Sequence, residues 1–232
     1  MASALQLPRS PSPPSLLPQL TPAFALGWSK LPIELKTQIL RHRLVSPIGI
    51  SSSLTWKYIT NTMPTTRHVT LAGRLRRHLA MGNDIASLAR EVYYKHNTFI
   101  IRTSGEGLRY RVSLPPRSTR SLIRSLCIQV YLSSSNWDVL QRLAAGKYGF
   151  DELRHVTVHV RWPHRPDPTY IGLMPEKWHR WAAISFACRG EVVFEKDMAR
   201  EKEGFVDRYL EGKGTDREDV ERWVRGIVGF GA

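Results

Sequence analysis

LCIQVYLSSSNWDVLQRLAAGKYGFDELRHVTVHVRW, residues 126–162, contains a strand pattern, a helix pattern and a second strand pattern in succession. Apolar residues recur at every second position in the two strand patterns, at Leu126, Ile128, Val130 and Leu132 and again at Val156, Val158, Val160 and Trp162. This period predicts two strands that each bury one face. Between them, Ser135 can cap a helix over WDVLQRLAAG, which Gly146 ends. The order predicts a βαβ unit with parallel strands.

The same alternation extends in both directions along the chain. Upstream it predicts helices over Thr70–Ala80, from Asn83 or Asp84 and over Arg117–Ser125, and a strand over Thr98–Arg102. Downstream it predicts a helix over PEKWHRWAAISFACRG, a strand over EVVFE, and a last helix with a Thr215/Glu218 capping box and a buried stripe of Val220, Trp223, Val224, Ile227 and Val228. We therefore expect an α/β fold in which N-terminal helices precede repeated helix–strand units that form a mostly parallel sheet. A short leucine-rich-repeat-like curve is the alternative, although the consensus LxxLxLxxN is absent from the sequence.

The first 30 residues differ in composition from the rest of the chain. They contain six prolines, at positions 8, 11, 13, 14, 18 and 22, and no acidic residue. We expect residues 1–30 to be a disordered Pro/Ser-rich arm, with a mitochondrial presequence as the weaker alternative, and residues 31–232 to form a single domain. No apolar run reaches the roughly 18 residues of a membrane-spanning helix, so we expect no membrane span.

Positive charge is concentrated in the front part of the chain. The formal net charge is +14, and residues 191–232 hold 11 acids against 8 Lys and Arg, so the first 190 residues carry about +17. Such a field favours nucleic acid, an anionic surface or an acidic protein as partner. The candidate anion-binding residues surround leucines in two predicted helices and are Arg74, Arg76, Arg77, Arg117, Arg120 and Arg124. The alternative for these arginines is a solvated basic face without a ligand.

The sequence does not contain a recognisable catalytic or cofactor motif. The segment GKGT at 212–215 lacks the first glycine of a phosphate-binding loop, and no GxSxG motif is present. His155 and His159 share the polar face of their strand but are separated by roughly 13 Å of strand rise, too far for one metal ion. We therefore expect no enzyme activity, no cofactor and no metal. The two cysteines, Cys127 and Cys188, favour a reduced intracellular protein in the cytoplasm or nucleus, and a single disulfide between them stays open.

The segment LPIELKTQILRHRLV, residues 31–45, predicts a helix with two apolar stripes on opposite sides. Leu31, Leu35 and Ile39 form one stripe, and Ile33, Leu40 and Leu44 form the other. Pro32 suits the first helical position, and Pro47 marks the end. Two stripes indicate either a wholly internal helix or a helix whose second face binds a partner.

Three segments together resemble a group of fungal F-box-like proteins. LPIELKTQILRHRLV resembles the first helix of an F-box, with its Leu-Pro-x-Glu-Leu start and following Ile-Leu pair. LAREVYYKHNTFIIR, residues 88–102, resembles the group's helix that ends in an aromatic pair and leads into an Asn-Thr-Phe strand. LPPRSTRSLIRSLCIQVYL, residues 114–132, resembles its next helix–strand unit.

The resemblance implies a non-catalytic protein-interaction module. F-box proteins bind an Skp-type adaptor of cullin–RING ubiquitin ligases through the F-box and recruit a protein substrate through the rest of the chain. The adaptor-binding residues that it implies are Leu31, Pro32, Ile33, Leu35, Ile39, Leu40 and Leu44. The sequence departs from the F-box after this helix, because VSPIGISSSLTWKYI replaces the expected second and third helices.

Overall fold

The structure is a computed structural model that describes residues 21–51, 69–103, 114–132, 134–161, 181–194 and 216–231. The helices of these residues are α1 (Pro22–Lys30), α2 (Ile33–Leu44), α3 (Val69–Leu79), α4 (Asn83–His96), α5 (Arg117–Arg120), α6 (Ser134–Ala144) and α7 (Arg217–Ile227). The strands are β1 (Ile50–Ser51), β2 (Thr98–Arg102), β3 (Ser125–Tyr131), β4 (His155–Arg161), β5 (Ile184–Phe186), β6 (Arg189–Phe194) and β7 (Val228–Phe230).

Five strands form one parallel sheet, in the order β1-β2-β3-β4-β6, and β5 and β7 form a separate parallel pair. The predicted α/β fold with a parallel sheet is confirmed. The strand order follows the chain order, whereas a doubly wound sheet reverses direction at a switch point. Among the described strands of this sheet, each strand is therefore added on the same side of the preceding one, as in a solenoid.

One face of the five-stranded sheet holds the core. Phe99, Leu126 and Val156 lie side by side on neighbouring strands and are completely buried. The next row, Ile101, Ile128 and Val158, repeats this arrangement two residues later. The opposite face carries polar side chains such as Gln129 and His159, which keep part of their surface exposed. The period of two in the sequence thus separates a buried face from a polar one.

Helices α2, α3 and α4 pack against one another next to the sheet. Leu44 of α2, Leu75 of α3 and Val92 of α4 contribute buried side chains to the same core as the strands. Asn97 joins α4 to β2 and is also completely buried. Its side-chain amide donates to the carbonyl oxygens of Leu44 and Tyr93, both at 2.8 Å. The end of α2 is therefore fixed to the end of α4 by a side chain.

The prediction of a disordered arm over residues 1–30 is wrong for its last part, because Pro22–Lys30 forms α1. Thr21 caps this helix by accepting a hydrogen bond from the backbone N–H of Phe24, and Pro22 occupies the first turn. A proline in the first turn favours a helix, since its missing N–H has no intrahelical partner there. Residues 1–20 lie outside the described residues.

Several predicted boundaries also differ from the structure. The helix expected over 117–125 ends at Arg120, because the chain turns before β3. The helix expected over 175–190 is wrong over its described part, where residues 184–186 form β5 and β6 begins at Arg189. Asp216, rather than a Thr215 capping box, caps α7 by accepting from the backbone N–H of Asp219. Thr215, Trp162 and Trp178 lie outside the described residues.

Two further differences concern strands. The sequence patterns did not predict β1, which pairs with β2 over only two residues, too few for an alternation to be visible. Val228, expected on the stripe of the last helix, instead begins β7 and is buried there. The stripe of α7 itself is confirmed at Val220 and Val224, which are completely buried.

Three indole rings connect α6, α7 and the segment before β5. The ring centroids of Trp137 and Trp181 are 5.0 Å apart, and that of Trp223 lies 5.9 Å from Trp137. Trp137 also donates from its indole Nε1 to the carbonyl oxygen of Ala182 at 3.1 Å. Stacked rings at these distances stabilise the contact beyond the burial of their area.

Replacement of Trp223 by alanine is expected to lower the free energy of unfolding by about 1 to 3 kcal/mol. The ring is partly exposed, so the loss is smaller than for a fully buried tryptophan. Urea denaturation followed by circular dichroism measures the change. Arg222→Ala on the same helix is the control, because the Arg222 side chain is 73% exposed. Equal effects of the two substitutions would show that α7 does not depend on the indole cluster.

Candidate functional site

The candidate site lies on α2, the helix with two apolar stripes. Pro32 is its exposed N-cap residue, one position earlier than predicted, and Glu34 lies in the first turn. Arg41, His42 and Arg43 lie in the last turn. The acid near the N-terminus and the bases near the C-terminus both interact favourably with the helix dipole, so the ends of α2 are stabilised by its own sequence.

The two stripes of α2 have different surroundings. Leu40 and Leu44 are 1% and 0% exposed and belong to the core. Leu35 and Ile39, on the other stripe, are 45% and 46% exposed. Leu31, which precedes the helix, is half-buried. One stripe therefore packs within the protein, and the other presents large apolar side chains to solvent.

Ile33 departs from the predicted arrangement. Its angular position matches that of Leu40 and Leu44, yet it is 56% exposed. Ile33 lies in the first turn, where it borders a groove lined by Trp28 of α1 and Leu88 of α4. The core therefore covers the stripe of Ile33, Leu40 and Leu44 only at Leu40 and Leu44.

Helix α1 adds apolar side chains next to α2. It buries none of its residues completely, and only Trp28 packs against the core. The indole ring of Trp28 stacks on Phe24 at 6.1 Å, and Lys36 Nζ of α2 lies 5.9 Å from its centroid. A groove of about 540 Å³ separates α1 from α2 and α3, and its lining includes Leu31 and Ile39. Three of the predicted partner-binding residues, Leu31, Ile39 and Leu40, thus border a groove rather than a flat surface.

All large apolar side chains that are exposed in the described chain lie between residues 24 and 48. They are Phe24, Leu26, Ile33, Leu35, Ile39 and Ile48, and we call them the apolar surface. Single exposed hydrophobic residues are common on proteins, whereas a concentration in one region marks an interaction site. The apolar surface therefore has the composition of a protein-docking site.

Three members of the apolar surface were not found by sequence reasoning. Phe24 and Leu26 fell in the segment predicted to be disordered, and Ile48 fell in the stretch after α2. The pair Thr21-Pro22 is a helix-start signal that could have revealed α1. No comparable signal marks Ile48.

The predicted anion-binding arginines lie on α3, on α5 and directly before β3. Arg74, Arg76 and Arg77 are exposed on α3, and Arg74 Nη1 donates to the carbonyl oxygen of Arg43 at 3.3 Å. Arg117 is exposed on α5, a helix that leads into β3. Arg74, Arg76 and Arg77 are therefore carried by one helix, and Arg117, Arg120 and Arg124 by the segment that leads into β3.

Arg120 and Arg124 instead contact the protein itself. Arg120 donates from Nε to the carbonyl oxygen of Pro115 at 2.7 Å and from Nη1 to that of Tyr148 at 3.0 Å. Burial, and then the charge of Arg117, lower the pKa of Arg120. Arg124 Nη2 lies 3.4 Å from a carboxylate oxygen of Glu152. Internal contacts therefore account for the position of Arg120, whereas the buried Nε of Arg124 has no hydrogen-bond partner among the described residues.

His155, His159 and Cys127 lie on the polar face of the sheet, and Cys188 directly precedes β6. His155 and His159 share this face of β4, as predicted, and Thr157 lies between them. Both cysteines are free, and burial followed by the nearby Glu191 raises the pKa of the Cys127 thiol. In the described ranges, no three His, Cys, Asp or Glu side chains are grouped as a metal site would require. In the same ranges, no helix has the length and apolar character to cross a membrane.

Comparison of the chain with protein-family models, curated proteins and solved structures finds no match. The apolar surface and its contacts are therefore the features on which a function can be proposed.

Proposed function

We propose that the protein is a non-catalytic protein-interaction module that binds an Skp-type adaptor through α2 and acts as an F-box-type substrate receptor of a cullin–RING ubiquitin ligase. The observation that carries the proposal is the unequal burial of the two stripes of α2. Leu40 is 1% exposed and Ile39, its neighbour in sequence, is 46% exposed. A helix that is held by its own core and also presents leucine and isoleucine side chains is suited to dock in an apolar groove of a partner.

The neighbourhood of α2 supports the same role. Trp28 and Leu31 border the groove beside Ile39, so a partner that covers Ile39 also meets further apolar area. Arg43 and His78 lie at the same groove and supply polar contacts. An apolar centre with a polar rim is the usual composition of a protein interface.

Replacement of Ile39 by aspartate is expected to weaken adaptor binding at least fivefold, because a carboxylate would be buried in an apolar contact. The measurement is isothermal titration of purified Skp-type adaptor into the full chain. Ala187→Asp is the matched control, since Ala187 is exposed in the turn between β5 and β6 and the substitution introduces the same charge outside the apolar surface. The control is expected to bind within twofold of the parent protein.

Absence of adaptor binding by the folded parent protein would refute the proposal. Equal weakening by both substitutions would also refute it, because the binding would then not depend on the stripe of α2.

A second candidate function is binding to nucleic acid or another anionic surface. The exposed side chains of Arg74, Arg76 and Arg77 on one helix favour it. Phosphate contacts make binding fall steeply with salt, whereas apolar docking is nearly insensitive to salt. A salt titration of complex formation between 50 and 200 mM, roughly the range over which phosphate contacts lose most affinity, therefore separates the two functions.

A further inference from the structure

The polar face of the parallel sheet has no role in the proposed adaptor contact. It consists of the side chains of β2, β3, β4 and β6 that point away from the core. Adjacent strands are about 4.8 Å apart and residues rise about 3.3 Å each, so four strands and seven residues give a surface of about 14 by 20 Å. A surface of this size accommodates an extended peptide of about six residues.

The charge of this face is unequal. Three arginines lie on it, Arg102 of β2, Arg161 of β4 and Arg189 of β6. Glu191 is the one acid at the described strand positions of this face. With the histidines counted as neutral, the formal charge of these positions is therefore +2. The arginines lie on three different strands, so the positive field covers the width of the sheet rather than one edge.

Small hydroxyl groups lie between the charged residues. Thr98 and Ser125 share a row, with their oxygens 3.2 Å apart, and Thr157 Oγ1 lies 3.5 Å from Glu191 Oε1. These side chains are only half-buried, so their hydroxyls face a surface that water reaches. Such groups can donate to carboxylates or peptide carbonyls of a partner.

We propose that the polar face of the sheet binds an extended acidic peptide segment, with carboxylate side chains at alternate positions. In an extended chain, every second side chain points the same way and is about 6.6 Å from the next, which matches the two-residue repeat of the strands below. The segment would be the recognition element of a protein substrate, and this part of the inference rests on the proposed function.

Single-stranded nucleic acid fits the face less well. Its binding sites combine positive charge with aromatic rings on which the bases stack. Tyr131 is the aromatic side chain at the described positions of this face, and the guanidinium of Arg161 lies over its ring at 5.7 Å. The ring is therefore covered by a cation of the protein, and Glu191, two rows away on the same face, adds a negative charge that repels phosphate.

Fluorescence anisotropy of the isolated full chain tests the proposal. The probe is a fluorescein-labelled octapeptide of alternating glutamate and threonine, and the neutral counterpart has glutamine in place of glutamate. We expect the acidic peptide to bind at least tenfold more tightly than the neutral one. Arg102→Glu and Arg189→Glu should each lower the association constant at least fivefold, and Glu191→Gln should raise it.

Arg142→Glu is the control for net charge. Arg142 lies on α6 and its side chain is 55% exposed, so the substitution changes the charge of the protein equally but away from the polar face. We expect it to change the affinity by less than twofold. Circular dichroism melting curves show that each variant is folded before its affinity is measured.

The inference would be overturned if the acidic octapeptide did not bind. It would also be overturned if Arg142→Glu and the sheet variants lost affinity for the peptide equally. A third contrary result is tighter binding of a thymidine pentanucleotide than of the peptide, if the same sheet variants abolish that binding. The last result would assign the face to nucleic acid. The adaptor is absent from this assay, so the two proposals are tested separately. A chain that binds the peptide but not the adaptor would refute the proposed receptor function and leave the peptide site supported.

Discussion

Replacement of Asn97 by alanine is expected to lower the free energy of unfolding by about 3 to 5 kcal/mol, because it leaves buried backbone groups without partners, each at a cost of about 1 to 3 kcal/mol. The Asn97 amide nitrogen donates to the carbonyl oxygens of Leu44 and Tyr93, both at 2.8 Å. Its carbonyl oxygen accepts from the backbone N–H of Ser46 at 2.7 Å. All three bonds would be lost together.

The loss is also expected to reach the candidate site. Leu44 ends α2, and Ser46 lies 51 residues before Asn97 in the chain, so these bonds fix the docking helix to the sheet. Without them, the end of α2 is held by apolar contacts and by the hydrogen bond from Arg74 Nη1 to the carbonyl oxygen of Arg43 at 3.3 Å. Faster amide hydrogen exchange over residues 40–46 than in the rest of the core is the expected result.

Two variants complete the test of Asn97, and chemical denaturation measures both. Asn97→Asp keeps the size and the acceptor but cannot donate when ionised, so we expect it to be as destabilising as alanine at neutral pH. Asn83→Ala is the control, because Asn83 is exposed at the start of α4, and its effect should stay within about 0.5 kcal/mol. A loss below about 1 kcal/mol in Asn97→Ala would mean that other groups or water satisfy the three backbone atoms.

The parallel sheet could be predicted because its central strands obey a simple period. In β3 and β4 every second residue is apolar and buried, so the pattern identifies both the strand and its inner face. The strand Thr98–Arg102 was predicted with the bounds that the structure has. Strands with neighbours on both sides cannot shift by one residue without exposing the whole apolar face, which is why their pattern is so regular.

The C-terminal part was harder to predict because its residues fit two periods. Trp181, Ile184 and Cys188 have the spacing of a helix stripe, yet Ile184 and Phe186 also alternate as in a strand. The structure has strand β5 there, paired with β7, which is about 40 residues further along the chain. A short apolar run carries no local signal for a partner so distant in sequence.

The sequence locates the candidate site on α2 but does not determine which stripe of α2 faces the core. The helical wheel identified two stripes on α2, and both are similarly apolar. Which one faces inward depends on where α3, α4 and the sheet lie, and that is not encoded within the helix. The same limitation explains Ile33, whose wheel position is correct but which lies beyond the part of α2 that the core covers.

Leu40 and Leu35, on the two opposed stripes of α2, are therefore expected to respond differently to replacement by alanine. Leu40 is 1% exposed and packs in the core, so Leu40→Ala should lower the free energy of unfolding by about 2 to 5 kcal/mol. Leu35 is 45% exposed, so Leu35→Ala should change stability by less than about 0.5 kcal/mol. Urea denaturation of the two variants and the parent protein measures both changes.

For adaptor binding we expect Leu35→Ala to have the larger effect and Leu40→Ala the smaller one. Each variant is measured at a temperature at which it is folded. Leu35→Ala removes a side chain that only the complex buries, so its dissociation constant should rise about fivefold or more, equivalent to about 1 kcal/mol. Leu40→Ala leaves the exposed stripe unchanged, and its dissociation constant should stay within about twofold of the parent value, well under 1 kcal/mol. A docking stripe must be dispensable for folding and indispensable for the complex. If both substitutions lowered stability strongly and equally, and the parent protein did not bind the adaptor, α2 would instead be a core helix that is buried on both sides.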